Sequence, residues 1–212
     1  TEMKILSLIL LFFAISCKSN NTVSINDITH KIPATSLSKE INLLMQNLET
    51  QTELTKTYNP AYVTLKYPNG DVPINTGVCA DVVVRALRAT NIDLQKEVHL
   101  DMNKNFSVYP KRWNLKTTDK NIDHRRVANL MKFFERKQKS IDITKNTNDY
   151  KAGDIVAWKL NNGLLHIGMV YNGANEDGTP LIVHNIGSGT KVADVLFQWE
   201  IIGHYRWFEQ QD

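Results

Sequence analysis

Cysteine is scarce in this chain: of 212 residues, only two are cysteine, at positions 17 and 79. Two cysteines so far apart cannot supply the Cys-x-x-Cys pairs of a zinc site, and the His-Glu-x-x-His motif of zinc peptidases is absent. The formal net charge is only +3 and no arginine-rich run occurs, so the sequence lacks the basic patch that is typical of nucleic-acid-binding proteins. The glycine-containing segment 187–191 lacks the spacing of a phosphate-binding loop. We therefore predict no metal, no cofactor and no nucleic-acid partner.

The chain also lacks an apolar run long enough to span a bilayer as a helix. Its longest run, Ile5–Ile15, has 11 residues, follows the basic residue Lys4 and has the length of a signal-peptide core. The run ends in Ala14-Ile15-Ser16-Cys17, which resembles the lipobox of bacterial lipoproteins. The sequence thus predicts a signal peptide over residues 1–17 and lipid on Cys17. The alternative is an ordinary signal peptide with a chance cysteine.

The rest of the chain has the composition of one ordinary domain, with 42% hydrophobic and 22% charged residues overall. The Ser, Asn and Thr content of residues 18–35 predicts a flexible tether. We expect residues 36–212 to form a single domain and the protein to be a monomer. Helical periodicity precedes a region of short apolar runs, which indicates an α+β fold with N-terminal helices packed on a small antiparallel sheet or half-barrel. Predicted helices lie near 37–48, 76–90, 93–105 and 123–134, and predicted strands near 61–66, 154–159, 164–171, 181–186 and 201–208.

Cys79 lies in the segment TGVCADVVVRALRAT, residues 76–90, where apolar or small residues recur at helical spacing. With Thr76 as the N-cap, Cys79 falls in the first turn, where free N–H groups and the helix dipole favour a thiolate. The same spacing places Asp81, Arg85 and Arg88 on the opposite face. Cys79 is either a nucleophile or a small apolar side chain in the core. Lipid on Cys17 would leave Cys79 as a lone exported thiol, which favours the nucleophile.

A second candidate group is His166, which interrupts the apolar run LLHIGMVY at residues 164–171. A hairpin turn follows at 173–178, and an antiparallel register centred on that turn places His184 opposite His166. A one-residue slip would place Asn185 there instead, so both remain candidates. A cysteine, a histidine base and a polar residue that orients the base are the parts of a cysteine hydrolase.

These elements resemble, in the same order, the motifs of the NlpC-type, papain-like cell-wall peptidases. The matching pieces are Cys79-Ala80-Asp81, Gly153-Asp154-Ile155-Val156, His166-Ile167-Gly168-Met169 and His184. The resemblance implies a papain-like fold with Cys79 as nucleophile, His166 as base and His184 as the residue that orients the base. The spacing between Cys79 and His166 is longer than usual in those peptidases, and the extra segment, near 91–150, contains the turn Asp123-His124-Arg125.

A more specific resemblance covers residues 57–208 and is to an exported bacterial family, domain of unknown function 1287. The matching pieces are Tyr67–Asp71, Gly77–Cys79, Asp93–Gln95, Ile122–Val127 and Gly203–Arg206. This family brings no established activity with it.

The turn Asp123-His124-Arg125 is a candidate substrate-binding element, together with Asp81. An arginine side chain forms two parallel hydrogen bonds to a carboxylate, and peptidoglycan stems contain several carboxylates. The alternative is that Asp123 only caps the following helix and that the arginines are a solvated surface.

The sequence as a whole predicts a lipid-anchored enzyme of the bacterial cell envelope. We expect it to cleave an amide bond, in peptidoglycan stem peptides, through a thioester acyl-enzyme on Cys79. Two alternatives remain, because a fold does not fix a substrate. One is an acyltransferase or lipid hydrolase on the same fold, and the other is a non-catalytic envelope lipoprotein that binds wall peptides or a protein partner.

Overall fold

The structure, a computed structural model, describes residues 22–28, 30–32, 37–112 and 115–209. The predicted signal peptide and Cys17 lie outside the described residues, and both stay predictions. Within the described ranges, no helix combines the length and the hydropathy that a bilayer crossing requires.

Four α-helices occur among the described residues: α1 Lys39–Leu54, α2 Cys79–Ala89, α3 Leu94–Asn105 and α4 Val127–Arg136. The Ser38 hydroxyl caps α1 by accepting the Ile41 N–H at 3.2 Å. The Asp93 carboxylate caps α3 by accepting the Gln95 N–H at 3.0 Å. The helices predicted near 37–48 and 93–105 are therefore confirmed, with side-chain caps at their predicted starts.

Two predicted helix caps are wrong. Thr76 lies in a short strand, and α2 begins after Val78, whose N–H is accepted by the Asp81 carboxylate at 2.6 Å. Asp123 lies in a separate 3-10 turn, Asp123–Arg125, and accepts the Asp119 N–H at 2.5 Å, while α4 starts only at Val127. The predicted strand at 61–66 is irregular chain.

The main sheet contains seven strands among the described residues: β1 Thr22–Val23, β2 His30–Lys31, β5 Ile155–Lys159, β6 Leu165–Ala174, β7 Pro180–Asn185, β8 Thr190–Ala193 and β9 Glu200–Tyr205. The sheet is antiparallel, with strand order β1-β8-β7-β6-β5-β9 and with β2 paired to β6. The predicted α+β class is confirmed, and the five strands β5 to β9 follow the four helices in the chain. A separate parallel pair joins β3 Thr57–Tyr58 to β4 Thr76–Gly77.

Three strands of the main sheet differ from the sequence prediction. Strand β8 was not predicted, because its four residues follow the glycine-rich turn at 187–189 without a long apolar run. Strands β1 and β2 lie in the predicted tether, yet they pair with β8 and β6. These two short strands of that segment therefore belong to the sheet.

Side chains alternate between the two faces of the sheet and build two separate cores. On the helix face, Ile167 and Met169 of β6 pack in one cluster with residues of α1, α2 and α4. On the opposite face, which we call the tryptophan face, Val170 of β6 packs with Trp158 and Leu196 in a second cluster. Neighbouring residues of β6 therefore lie on different sides of the sheet.

Candidate active site

Cys79 is the first residue of α2 and is 6% exposed, on the helix face of the sheet. Burial raises the pKa of the Cys79 thiol to about 11, and the negative charge of Asp81 adds to this effect. The backbone N–H groups of Ile167, Ala80 and Cys79 act in the other direction but are weaker than burial. The thiol is therefore protonated at neutral pH in this arrangement.

An open cavity of about 350 Å³ gives access to Cys79. Part of its wall is apolar, formed by residues such as Val127, Leu164 and Leu165, and Tyr58 also lines the cavity. Three arginines also line it: Arg112, Arg125 and Arg126. The cavity thus joins a cysteine, an apolar surface and positive charge.

Asp81 and Arg125 form a buried ion pair that fixes the start of α2. The Arg125 Nε lies 2.8 Å from Asp81 Oδ1 and its Nη2 lies 2.9 Å from Oδ2, with both side chains almost inaccessible. Because the same carboxylate accepts the Val78 N–H, the pair ties the 3-10 turn Asp123–Arg125 to the residue before Cys79. The predicted contact between Arg125 and a substrate carboxylate would require Arg125 to release Asp81, so we assign Arg125 and Asp81 to positioning Cys79 instead.

The face of α2 opposite the sheet is also covered, which the sequence prediction missed. Asp81 and Arg85 are each 3% exposed. The Arg85 guanidinium lies 3.0 Å from Asp71 and also donates to the carbonyls of Val72 and Thr76. The segment before α2 therefore wraps around the helix, and Arg85 holds that segment in place.

Asp123 and His124 do not line the cavity. They are 1% and 2% exposed, and burial lowers the pKa of His124 to about 4, which keeps its imidazole neutral at pH 7. The Asp123 backbone carbonyl accepts the Asn129 side-chain amide at 3.1 Å, so this turn is anchored to α4. The prediction that these two side chains contact substrate stays a prediction, and their side chains are almost fully buried in this structure.

His166 and His184 form a hydrogen-bonded pair on the tryptophan face, with His166 Nε2 2.8 Å from His184 Nδ1. The His166 ring stacks on Trp158 and meets the edge of Trp199. Burial lowers the pKa of both imidazoles, so the pair is neutral at pH 7, with one nitrogen donating and the other accepting. The predicted contact between His184 and His166 is present.

The hairpin register behind this pair differs from the predicted one. Met169 pairs with Val183, whereas the predicted register would pair it with Leu181. A shift of two residues leaves every side chain on its predicted face, which explains why the two histidines still meet. Asn185 points to the helix face, where its amide donates to the Gly77 carbonyl at 3.2 Å. Between the two candidates, His184 is the one that contacts His166.

The predicted pairing of Cys79 with His166 is not assembled in this structure. Cys79 contacts the backbone of Ile167 on the helix face, whereas the His166 ring lies among indole rings on the tryptophan face. Within the described part of the chain, no hydrogen bond joins the Cys79 sulfur to either imidazole of the pair. One signal in the sequence could have shown this: the large apolar side chains of β6 fall at Leu165, Ile167, Met169 and Tyr171, the positions that alternate with His166.

A further buried network lies around Asp154, at the start of β5. Its carboxylate accepts from Arg206 Nε and Nη2, both at 2.7 Å, and lies 2.9 Å from His204 Nε2. This network ties the end of β9 to β5 and has no access to Cys79's cavity. Across the described ranges, no group of three or more His, Cys, Asp or Glu side chains is arranged to hold a metal ion.

Comparison with known proteins identifies the family. The family model described as "Domain of unknown function (DUF1287)" matches residues 45–207. The chain belongs to the DUF1287 family. The match includes Cys79, the Asp81–Arg125 pair and the two histidines of the sheet, so the whole candidate site lies within the DUF1287 domain.

The chain is also similar to one curated relative and to one solved structure. The "Uncharacterized protein YijF" of Escherichia coli (strain K12) is 60% identical over 151 residues, which cover 71% of this chain and 74% of that protein. A solved structure of NlpC1 from Trichomonas vaginalis is similar with a TM-score of 0.43 and 13% identity, over 85% of this chain and 48% of NlpC1. The chain thus spans about half the length of NlpC1, and a likeness this distant assigns no activity.

Proposed function

We propose that this DUF1287 protein is a cysteine hydrolase that cleaves amide bonds, with Cys79 as its nucleophile. The observation that supports this most is the position of Cys79, which is the first residue of α2 and lines an open cavity, with backbone N–H groups near the sulfur that favour its negative charge. Backbone donors of this kind stabilise negative charge on sulfur, and donors beside a nucleophile also stabilise the oxyanion of acyl transfer.

The proposed reaction has two halves. The Cys79 proton passes to a base, the sulfur bonds to the substrate carbonyl carbon, and the carbon–nitrogen bond breaks as the amine leaves with a proton from that base. Water then attacks the thioester carbonyl, which releases the carboxylic acid and returns the proton to sulfur. We assign the base to His166 on the sequence resemblance alone, and the orientation of its ring to His184, because the two imidazoles form a hydrogen bond.

This mechanism requires a rearrangement relative to the structure described here. Sulfur contacts the N–H of Ile167, and His166 is the preceding residue, but its ring lies on the other face of β6. Because the Asp81–Arg125 pair fixes the start of α2, we propose that substrate binding accompanies a rearrangement of the start of β6, which brings the His166 ring to the helix face so that proton transfer from Cys79 becomes possible. Before that rearrangement, the raised thiol pKa keeps Cys79 protonated at neutral pH.

The proposed substrate is a peptidoglycan stem peptide. Such peptides combine aliphatic side chains with carboxylates, and the cavity combines an apolar wall with arginines. We further propose that the protein is a monomer held in the bacterial cell envelope by lipid on Cys17. These proposals about substrate, location and assembly stand on the sequence and on the chemistry of the cavity.

A second candidate is a protein that binds wall peptides in the same cavity without cleaving them. Two observations favour it: the thiol pKa is raised to about 11, and the imidazoles lie on the other face of the sheet. A binding protein needs neither a thiolate nor a base, so both observations are expected for it.

Mass spectrometry of muropeptides after incubation with the protein separates the two candidates. If the protein is a hydrolase, the unaltered chain should give new cleavage products and Cys79→Ala should give none. Cys17→Ala is the matched control, because it removes the other cysteine; it should keep activity and move the protein from the membrane to the soluble fraction. Identical product patterns for the unaltered chain and Cys79→Ala would contradict the hydrolase proposal.

A further inference from the structure

Arg112 differs from the other two arginines of the cavity in its contacts with the described residues. Among the described residues, no hydrogen bond, ion pair or ring contact involves its guanidinium, although it lines the same cavity as Cys79. A guanidinium presents five donors in a planar arrangement that fits a carboxylate. Arg112 is therefore available to a ligand in the cavity.

The charges of the other two arginines are balanced within the protein. Arg125 forms two hydrogen bonds to Asp81, and Arg126 lies 3.4 Å from the carboxylate of Asp123. No Asp or Glu is among the described residues that line the cavity. The cavity consequently offers one unbalanced positive charge, at Arg112, next to an apolar wall that includes Leu164 and Leu165.

We propose that Arg112 is a specificity-determining residue that binds a carboxylate on a short aliphatic arm of the substrate. This proposal rests on the proposed function and narrows its substrate class to amides whose acyl or amine side has such an acidic arm. The apolar wall accommodates the methylene groups, and the Arg112 guanidinium forms charge-assisted hydrogen bonds with the carboxylate. Arg125, which the sequence suggested for this role, instead holds the start of α2.

The direct test is the binding of two small probes to the full chain, measured by calorimetric titration. Glutarate has two carboxylates on an aliphatic chain, and glutaramide has the same length without charge. We expect glutarate to bind more tightly than glutaramide. Arg112→Gln should weaken the binding of glutarate by about tenfold, the effect of losing one charge-assisted hydrogen bond. Arg112→Lys, which keeps the charge but loses the planar geometry, should give an intermediate affinity.

Lys111→Gln provides the matched control, because it removes one positive charge from the neighbouring residue, which does not line the cavity. Equal affinities for glutarate and glutaramide would overturn the proposal, and so would an equal loss in Lys111→Gln and Arg112→Gln.

A second measurement separates this proposal from the proposed function. Iodoacetate and iodoacetamide both alkylate cysteine, but only iodoacetate is an anion, and peptide mapping resolves Cys79 from Cys17. We expect Arg112→Gln to lower the ratio of the iodoacetate rate to the iodoacetamide rate at Cys79, and Lys111→Gln to leave it unchanged. If neither reagent modifies Cys79 at any pH, the proposal that Cys79 is a nucleophile is contradicted. The glutarate titration would still decide the role of Arg112.

Discussion

The two faces of the sheet hold the two kinds of chemical group that a cysteine hydrolase needs, and they hold them differently. On the helix face, a thiol lies beside an open cavity, under the end of a helix that a buried ion pair fixes in place. On the tryptophan face, two imidazoles bond to each other and are enclosed by Trp158 and Trp199. Burial keeps both groups neutral, by raising the thiol pKa and lowering the imidazole pKa values. The comparison shows that the proposed nucleophile and the proposed base lie on different faces of the sheet and are not joined.

The largest expected effect tests whether the two faces act together. If they form one catalytic unit during turnover, Cys79→Ala and His166→Ala should each lose nearly all activity on muropeptides, and the double variant should lose little more, because residues that act as a unit are non-additive. Circular dichroism should show that each variant folds. Substantial activity in His166→Ala would mean that the tryptophan face takes no part in the reaction.

The next largest effect concerns the ion pair on the helix face. Arg125→Ala leaves the Asp81 carboxylate buried without its partner, so we expect a loss of about 3–5 kcal/mol in the free energy of unfolding, measured in urea. Arg206→Ala is the control, because Asp154 keeps His204 and the Lys151 N–H as partners and Arg206 is partly exposed. A smaller loss for Arg125→Ala than for Arg206→Ala would contradict the role of Arg125 in fixing the start of α2.

A smaller effect concerns the pair on the tryptophan face. His184→Ala leaves a buried nitrogen of His166 without a partner, which should cost about 1–3 kcal/mol in the free energy of unfolding. His184→Asn, whose amide can both accept and donate, should retain more stability and more of the rate than His184→Ala. Equal and negligible effects of both substitutions on stability and rate would show that the contact between the imidazoles has no role.

The sequence identified this site in its parts, and the structure shows which parts could not be predicted. Helices α1 and α3 follow from local caps and periodicity. The contact between the two histidines was predicted correctly despite a register error of two residues, because a shift of two residues leaves each side chain on the same face of the sheet. The Asp81–Arg125 pair could not be predicted, since nothing local in the sequence connects a residue of α2 to a turn 44 positions later. The separation of Cys79 from His166 depends on which face of β6 the helix covers. Tertiary packing decides which face of β6 the helix covers. In the sequence, only the alternation of large apolar residues in β6 indicates that face.

The pH dependence of Cys79 alkylation by iodoacetamide tests the separation of the two faces most directly. Only the thiolate reacts, and its fraction rises tenfold per pH unit below the thiol pKa. With Cys79 away from His166, the rate in the unaltered chain should rise steadily from pH 7 and level off near pH 11, where the raised pKa lies. His166→Ala should give the same profile. A rate that is already level near pH 7, and that falls in His166→Ala, would show a thiolate–imidazolium pair in the resting protein and would contradict this account.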